Sequence, residues 1–222
     1  MPDLSAIDTT IYIGSVAIHQ PVTVFTSYII TAMSYYYYWK LKQIKNIETD
    51  KLFWSRFFLF VGTASLVGSC SHAFFAVHEG VAYKAFWLPM QVLNIFSVYC
   101  GQQATLNSVL ENSPKRKFWK LSYDIQLIVF FSAVFIFHNF LVVVIDGALG
   151  MIPVMILHFK HSKKDKSYSL IGYGILILFL SAIVNVTKFS IDAYFNHLDI
   201  AHIFVMANLA VMYEGVKRKA IS

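Results

Sequence analysis

Residues 168–190 read YSLIGYGILILFLSAIVNVTKFS. No charged side chain interrupts this run before Lys188. A helix needs about 20 mostly apolar residues to cross roughly 30 Å of hydrocarbon, so this stretch predicts a spanning helix. Six further stretches qualify, at 21–40, 55–78, 85–108, 118–137, 139–158 and 198–216. The expected fold is an all-α integral membrane protein, with residues 1–222 forming a single seven-transmembrane helix bundle. Strands are not expected, because open sheets leave backbone groups unpaired in lipid and no segment alternates like an outer-membrane barrel strand. The segment before Pro21, which includes Ile11-Tyr12-Ile13, is too short to span. It carries Asp3 and Asp8 where a signal peptide would be basic, so it is expected to persist as an external or interfacial segment.

Composition agrees with this reading. Of 222 residues, 57% are hydrophobic and 14% charged, more apolar surface than a soluble core of this length buries. Charge sets the expected orientation. Basic residues cluster at Lys40–Arg56, Lys115–Lys120, Lys160–Lys166 and Lys217–Lys219, leaving Lys84 and Lys188 elsewhere. Cytoplasmic loops retain Lys and Arg, so the N-terminus is expected outside and the C-terminus in the cytoplasm. The net charge of +6 is then a matter of topology and anionic headgroups, with no nucleic acid partner. Tyr35 to Trp39, Trp54 and Trp119 read as interfacial anchors. Cys70 and Cys100 fall within predicted helices and define no disulfide framework.

Polar residues inside spanning helices are costly and mark interior faces or sites. Helical spacing places Gly62, Ser65, Ser69 and His72 on one face of the second helix, and Gln91 with Asn94 on the third. Ser181, Asn185, Lys188 and Asp192 repeat along the sixth, Asp199 and His202 start the seventh, and Asp146 lies on the fifth. The first shows a milder stripe of Thr23, Ser27, Thr31 and Ser34. The fourth is nearly all apolar, with Asp124 near one end, which predicts the most lipid-exposed helix. At 1.5 Å per residue, His72, Asn94, Asp146, Asn185 and His202 share a layer about 5–15 Å below the outer surface. This predicts an outward-opening polar cavity between helices two, three, five, six and seven, with His78, Glu79, His138 and His197 at its rim.

Three uses of that layer are open. A metal site would take His72, His202 and Asp199, with Asp146 as alternative ligand or general base and a fourth position for water. Zinc suits such a set, and a zinc-bound water could attack an amide or ester while Ser69 or Asn94 stabilises the oxyanion. A transport or sensing path would use Asp146, Lys188 and Asp192 for an ion or proton. A purely structural network would spend the same groups on interhelical hydrogen bonds.

Seven helices, Ser69-Cys70-Ser71-His72 on the second and His202 near the start of the seventh resemble the CREST membrane proteins, the alkaline ceramidases and the progestin and adipoQ receptors. The short form with an external N-terminus is more similar to the ceramidase branch. The resemblance implies zinc held by His72 and His202, with a serine and an aspartate nearby. The chain departs from that pattern at Leu198, four before His202, at Gly68, four before His72, and at the early third helix, where Asn94 or Gln91 replaces an aspartate. The size also invites comparison with microbial rhodopsins, but no lysine lies between His202 and Glu214, so retinal is not expected. The leading expectation is a membrane-embedded, zinc-dependent hydrolase of a lipid-like amide or ester, with membrane lipid as its surroundings. The alternative is a non-enzymatic transporter or sensor, or a structural network. The location is a bacterial cell membrane or a eukaryotic endomembrane or plasma membrane.

Overall fold

Each predicted apolar run folds as one α-helix: α1 Pro21–Lys42, α2 Thr49–Phe75, α3 Val81–Leu106, α4 Arg116–Phe137, α5 Leu141–His161, α6 Ser167–Thr187 and α7 His197–Arg218. The computed structural model describes residues 9–75, 81–192 and 195–219. His78, Glu79, Asp3 and Asp8 lie outside the described residues. Helix ends follow local chemistry. Pro21 opens α1, where its fixed φ suits the first turn and its missing N–H costs nothing. The sixth helix stops at Thr187 because Lys188 turns left-handed at φ 52° and its N–H returns to the Val184 carbonyl. His138 closes α4 in the same way at φ 50°.

One expectation is corrected. The described residues before Pro21 form an antiparallel hairpin, β1 Thr10–Ile13 paired with β2 Val16–His19 in the register Thr10↔His19 to Ile13↔Val16. Both strands are rich in β-branched and aromatic residues, and Gly14 supplies the positive φ (63°) that a two-residue hairpin turn requires. A hairpin this short satisfies its inner backbone groups across one pair of strands, without spanning the bilayer. Its end is tied to the bundle, since the Gln20 N–H donates to the Thr9 carbonyl at 2.7 Å and β2 packs on α2.

The helices pack in a ring. The α6–α7, α2–α3 and α1–α2 contacts are the most extensive; α3–α5 and α5–α6 continue the ring and α1–α7 closes it. The fourth helix stands outside, against α3 and α5. Only 11% of its apolar window is buried, the peripheral place its composition predicts. Five helices, α2 and α4 to α7, are long and apolar enough to cross a membrane. The first and third carry polar stripes that the ring buries: Thr23, Ser27, Thr31 and Ser34 on α1, and Gln91, Gln102 and Gln103 on α3.

The main apolar core joins Phe58, Val154, Ile171, Ile175, Leu209 and Met212. It also corrects the reading of Trp54, which is 1% exposed and packs edge-on to Phe57 and His158. Tyr37, too, turns inward and stacks on Tyr213 at 4.3 Å. Tyr36 and Trp39 remain exposed, with the Lys40 ammonium over both rings. One helical aromatic run thus serves both the core, through Tyr37 and Tyr38, and the surface, through Tyr36 and Trp39.

Candidate functional site

The ring encloses a cavity of about 460 Å³, within the range of about 300–1,000 Å³ that small-molecule sites occupy. All six ring helices line it and α4 does not. Most of the wall is apolar, including Ile30, Phe57, Val61, Met151, Phe179 and Val205. The polar contributions are His72, Asn94, Asn185 and His202, with serines and Asn208. The first helix joins the expected set through Ser27 and Ile30.

Both histidines are held by one ring nitrogen. His72 Nδ1 lies 2.7 Å from Gln20 Oε1. An amide oxygen only accepts, so Nδ1 donates and carries the proton. His202 Nδ1 lies 2.7 Å from Thr26 Oγ1. That hydroxyl also lies 2.9 and 3.1 Å from the Val22 and Thr23 carbonyls, and with its single proton on either of them His202 Nδ1 is the donor, as in His72. In His72, and in the matching tautomer of His202, Nε2 bears a lone pair, and among the described residues no hydrogen bond engages either Nε2. A hydrogen bond at one nitrogen fixing the tautomer and aim of the other is how histidines are prepared as acceptors or ligands.

The remaining candidate residues do other work. Asp199 is fully buried and takes no part in the cavity wall. Its Oδ1 accepts from Thr23 Oγ1 at 2.7 Å, and its Oδ2 accepts from the Asn196 N–H at 2.9 Å, closing a capping box with Asn196 at the start of α7. Ser69 is buried and donates to the Leu66 carbonyl on its own helix. Asp146 faces α4, where Gln126 Nε2 donates to it at 2.7 Å. Asn94 lines the cavity and donates to the Met90 carbonyl one turn back. Lys188, Asp192 and His138 are exposed at helix ends, away from the polar layer, and His197 is partly buried at the first position of α7. Among the described residues, no group of three His, Cys, Asp or Glu side chains is placed to hold a metal ion.

Gln20 and Thr26 escaped the sequence reading, although they position both imidazoles. Thr26 falls one turn after Thr23, which is the only local sign of its role. Gln20 lies before the first helix and reaches His72 only because the hairpin delivers it there. The ring also makes a ladder visible: Thr23 and Thr26 on α1 meet Asp199 and His202 on α7.

No curated protein and no solved structure matches the chain. A family model described as a family of unknown function (DUF6962) matches residues 22–221. That match runs from the first turn of α1 past the end of α7, so the chain belongs to this family of unknown function.

Proposed function

We propose that this chain is a seven-span membrane protein with an external N-terminus and cytoplasmic C-terminus. Its ring cavity binds one single-chain amphiphile whose head donates hydrogen bonds, for carriage or sensing without catalysis. The observation that carries the reading is the pair of Nδ1-anchored imidazoles on the wall of a mostly apolar cavity, with neither Nε2 engaged among the described residues. Such a site favours a hydroxyl or amine head with an alkyl tail, drawn from the surrounding lipid. The seven spans are supported by the ring itself, since α1 and α3 each pack between ring neighbours that are apolar enough to cross the bilayer. Thr23 and Thr31 on α1 hydrogen-bond to α7 and α2, and Gln102 on α3 to Gln126 on α4, so interhelical hydrogen bonds replace water.

The donor set does not fit a catalytic zinc. Such a metal takes three protein ligands and one open position, whereas here two imidazoles meet the cavity and the Asp199 carboxylate is committed to Thr23 and the α7 cap. The proposed function therefore has no metal-assisted step.

The test is photolabelling in phosphatidylcholine nanodiscs with a diazirine-tailed monoacylglycerol, using the fatty acid methyl ester with the same tail as control. Gly147 lines the cavity and a Cβ there would meet nothing within 4 Å, so Gly147→Phe fills the cavity without a backbone clash. The monoacylglycerol should label cavity residues of the wild type at least several-fold more than the ester does. Labelling should fall in Gly147→Phe and in His72→Ala/His202→Ala. Equal labelling by both probes, unchanged in these variants, would overturn the reading.

A further inference from the structure

A buried carboxylate with one oxygen unpartnered among the described residues lies outside the cavity. Asp146 sits about 8 Å into α5, at 1.5 Å per residue, and is 1% exposed. The α5 face that lines the cavity carries Val143, Val144, Gly147 and Met151; Asp146 turns from it toward α3 and α4. Gln102 on α3 donates from Nε2 to Gln126 Oε1 at 2.9 Å. Gln126 on α4 donates from Nε2 to Asp146 Oδ1 at 2.7 Å and to the Asp146 carbonyl at 3.0 Å. Gly150 makes the arrangement fit, because a Cβ there would lie 2.8 Å from the Gln102 amide nitrogen and 2.9 Å from that of Gln126.

Asp146 Oδ2 is buried and has no hydrogen-bond partner among the described residues. No described cation is paired with it either. On α4 Lys120 and Asp124 pair with each other at 2.7 Å, and Arg116 and Lys117 lie in its first turn, more than two turns before Gln126. The third helix carries Lys84 at its far end, α6 has no charged residue between Ser167 and Thr187, and the other titratable groups of α5, His158, Lys160 and His161, lie three or more turns away. One neutral amide cannot compensate a buried carboxylate, whereas a neutral carboxylic acid loses far less on leaving water.

We propose that Asp146, with Gln126 and Gln102, is a proton-binding site between α3, α4 and α5. The carboxyl holds a proton on Oδ2 while Oδ1 accepts from Gln126. An ionisable group at this depth is the kind that proton-coupled membrane proteins use, and α4, the least embedded helix, supplies its one side-chain partner among the described residues. The site does not depend on the cavity ligand, so its test stands apart from photolabelling.

The experiment is infrared difference spectroscopy of the full-length protein in nanodiscs at neutral pH, wild type against Asp146→Asn. The expected result is one protonated carboxylic C=O stretch in the wild type that is missing from the variant and shifts in heavy water. In Gln126→Leu the same band should move to higher frequency, because Oδ1 loses its donor. A wild-type difference made only of carboxylate bands, with or without dependence on added sodium, would overturn the proposal. Should Asp146→Asn fail to fold, Gln126→Leu decides: an unshifted acid region overturns the assignment, and the upward shift supports it.

Discussion

The Thr23 hydroxyl on the first helix donates to the Asp199 carboxylate on the last at 2.7 Å, with both residues buried. One turn further on, Thr26 and His202 are also 2.7 Å apart. These two rungs close the ring of helices at the end where the hairpin packs. Asp199 caps α7 as well, so one carboxylate fixes both the start of the last helix and its attachment to the first.

Thr23→Val and Asp199→Asn should each lower stability by about 1–3 kcal/mol, since each leaves a buried polar partner unsatisfied. Because they break the same contact, the double variant should lose less than the sum of the two. Thermal unfolding of the four proteins in detergent gives the cycle. Strict additivity would mean that the contact is not energetically coupled.

Close approach of α6 and α7 rests on glycine. A Cβ on Gly215 would lie 2.9 Å from the Ile171 backbone nitrogen, an obstruction that no side-chain rotation removes. Gly215→Ala should therefore cost about 1–3 kcal/mol through overpacking. Gly147→Ala meets nothing and should be neutral or stabilise by up to about 1 kcal/mol. Comparing their unfolding midpoints checks the contrast.

Orientation is open to direct measurement. Lys188 and Lys164 are both exposed, and they flank α6 at opposite ends. With Lys188→Cys, a membrane-impermeant thiol reagent should label intact cells; with Lys164→Cys, it should label only after permeabilisation. Labelling of both from the same side would contradict the seven-span arrangement.

At the start of α2, the Lys51 ammonium hydrogen-bonded to Glu48 at 2.9 Å holds the Glu48 carboxyl below its ordinary value. A lowered value stabilises the fold above the ordinary carboxylate range, and that contribution is lost as pH falls through the folded-state value. It is small, because Glu48 is 64% exposed. In a carboxyl-resolved NMR titration, Lys51→Met should move the Glu48 midpoint upward toward the ordinary range. An unmoved midpoint would remove Lys51 as the cause.

Apolar runs and local spacing in the sequence determined the seven helices, their approximate limits and the peripheral place of α4. Runs of this length must satisfy their own backbone in lipid, and an almost wholly apolar α4 has little reason to turn inward. The same spacing brought His72, Asn94, Asn185 and His202 to one cavity, since residues a turn apart share a face. Tertiary structure alone decided how the neighbouring groups are used. Asp199 looked like a ligand one turn from His202, but its carboxylate is taken by a threonine 176 positions earlier in the chain and by its own helix cap. Asp146 shared the layer by depth, yet helix rotation turned it to Gln126 and away from the cavity. Trp54 looked like a surface anchor until α3 and α5 closed over it. Depth along a helix is readable from sequence position, whereas the rotation of each helix about its axis depends on packing against the others, and that rotation determines which polar group meets the cavity, a partner or lipid.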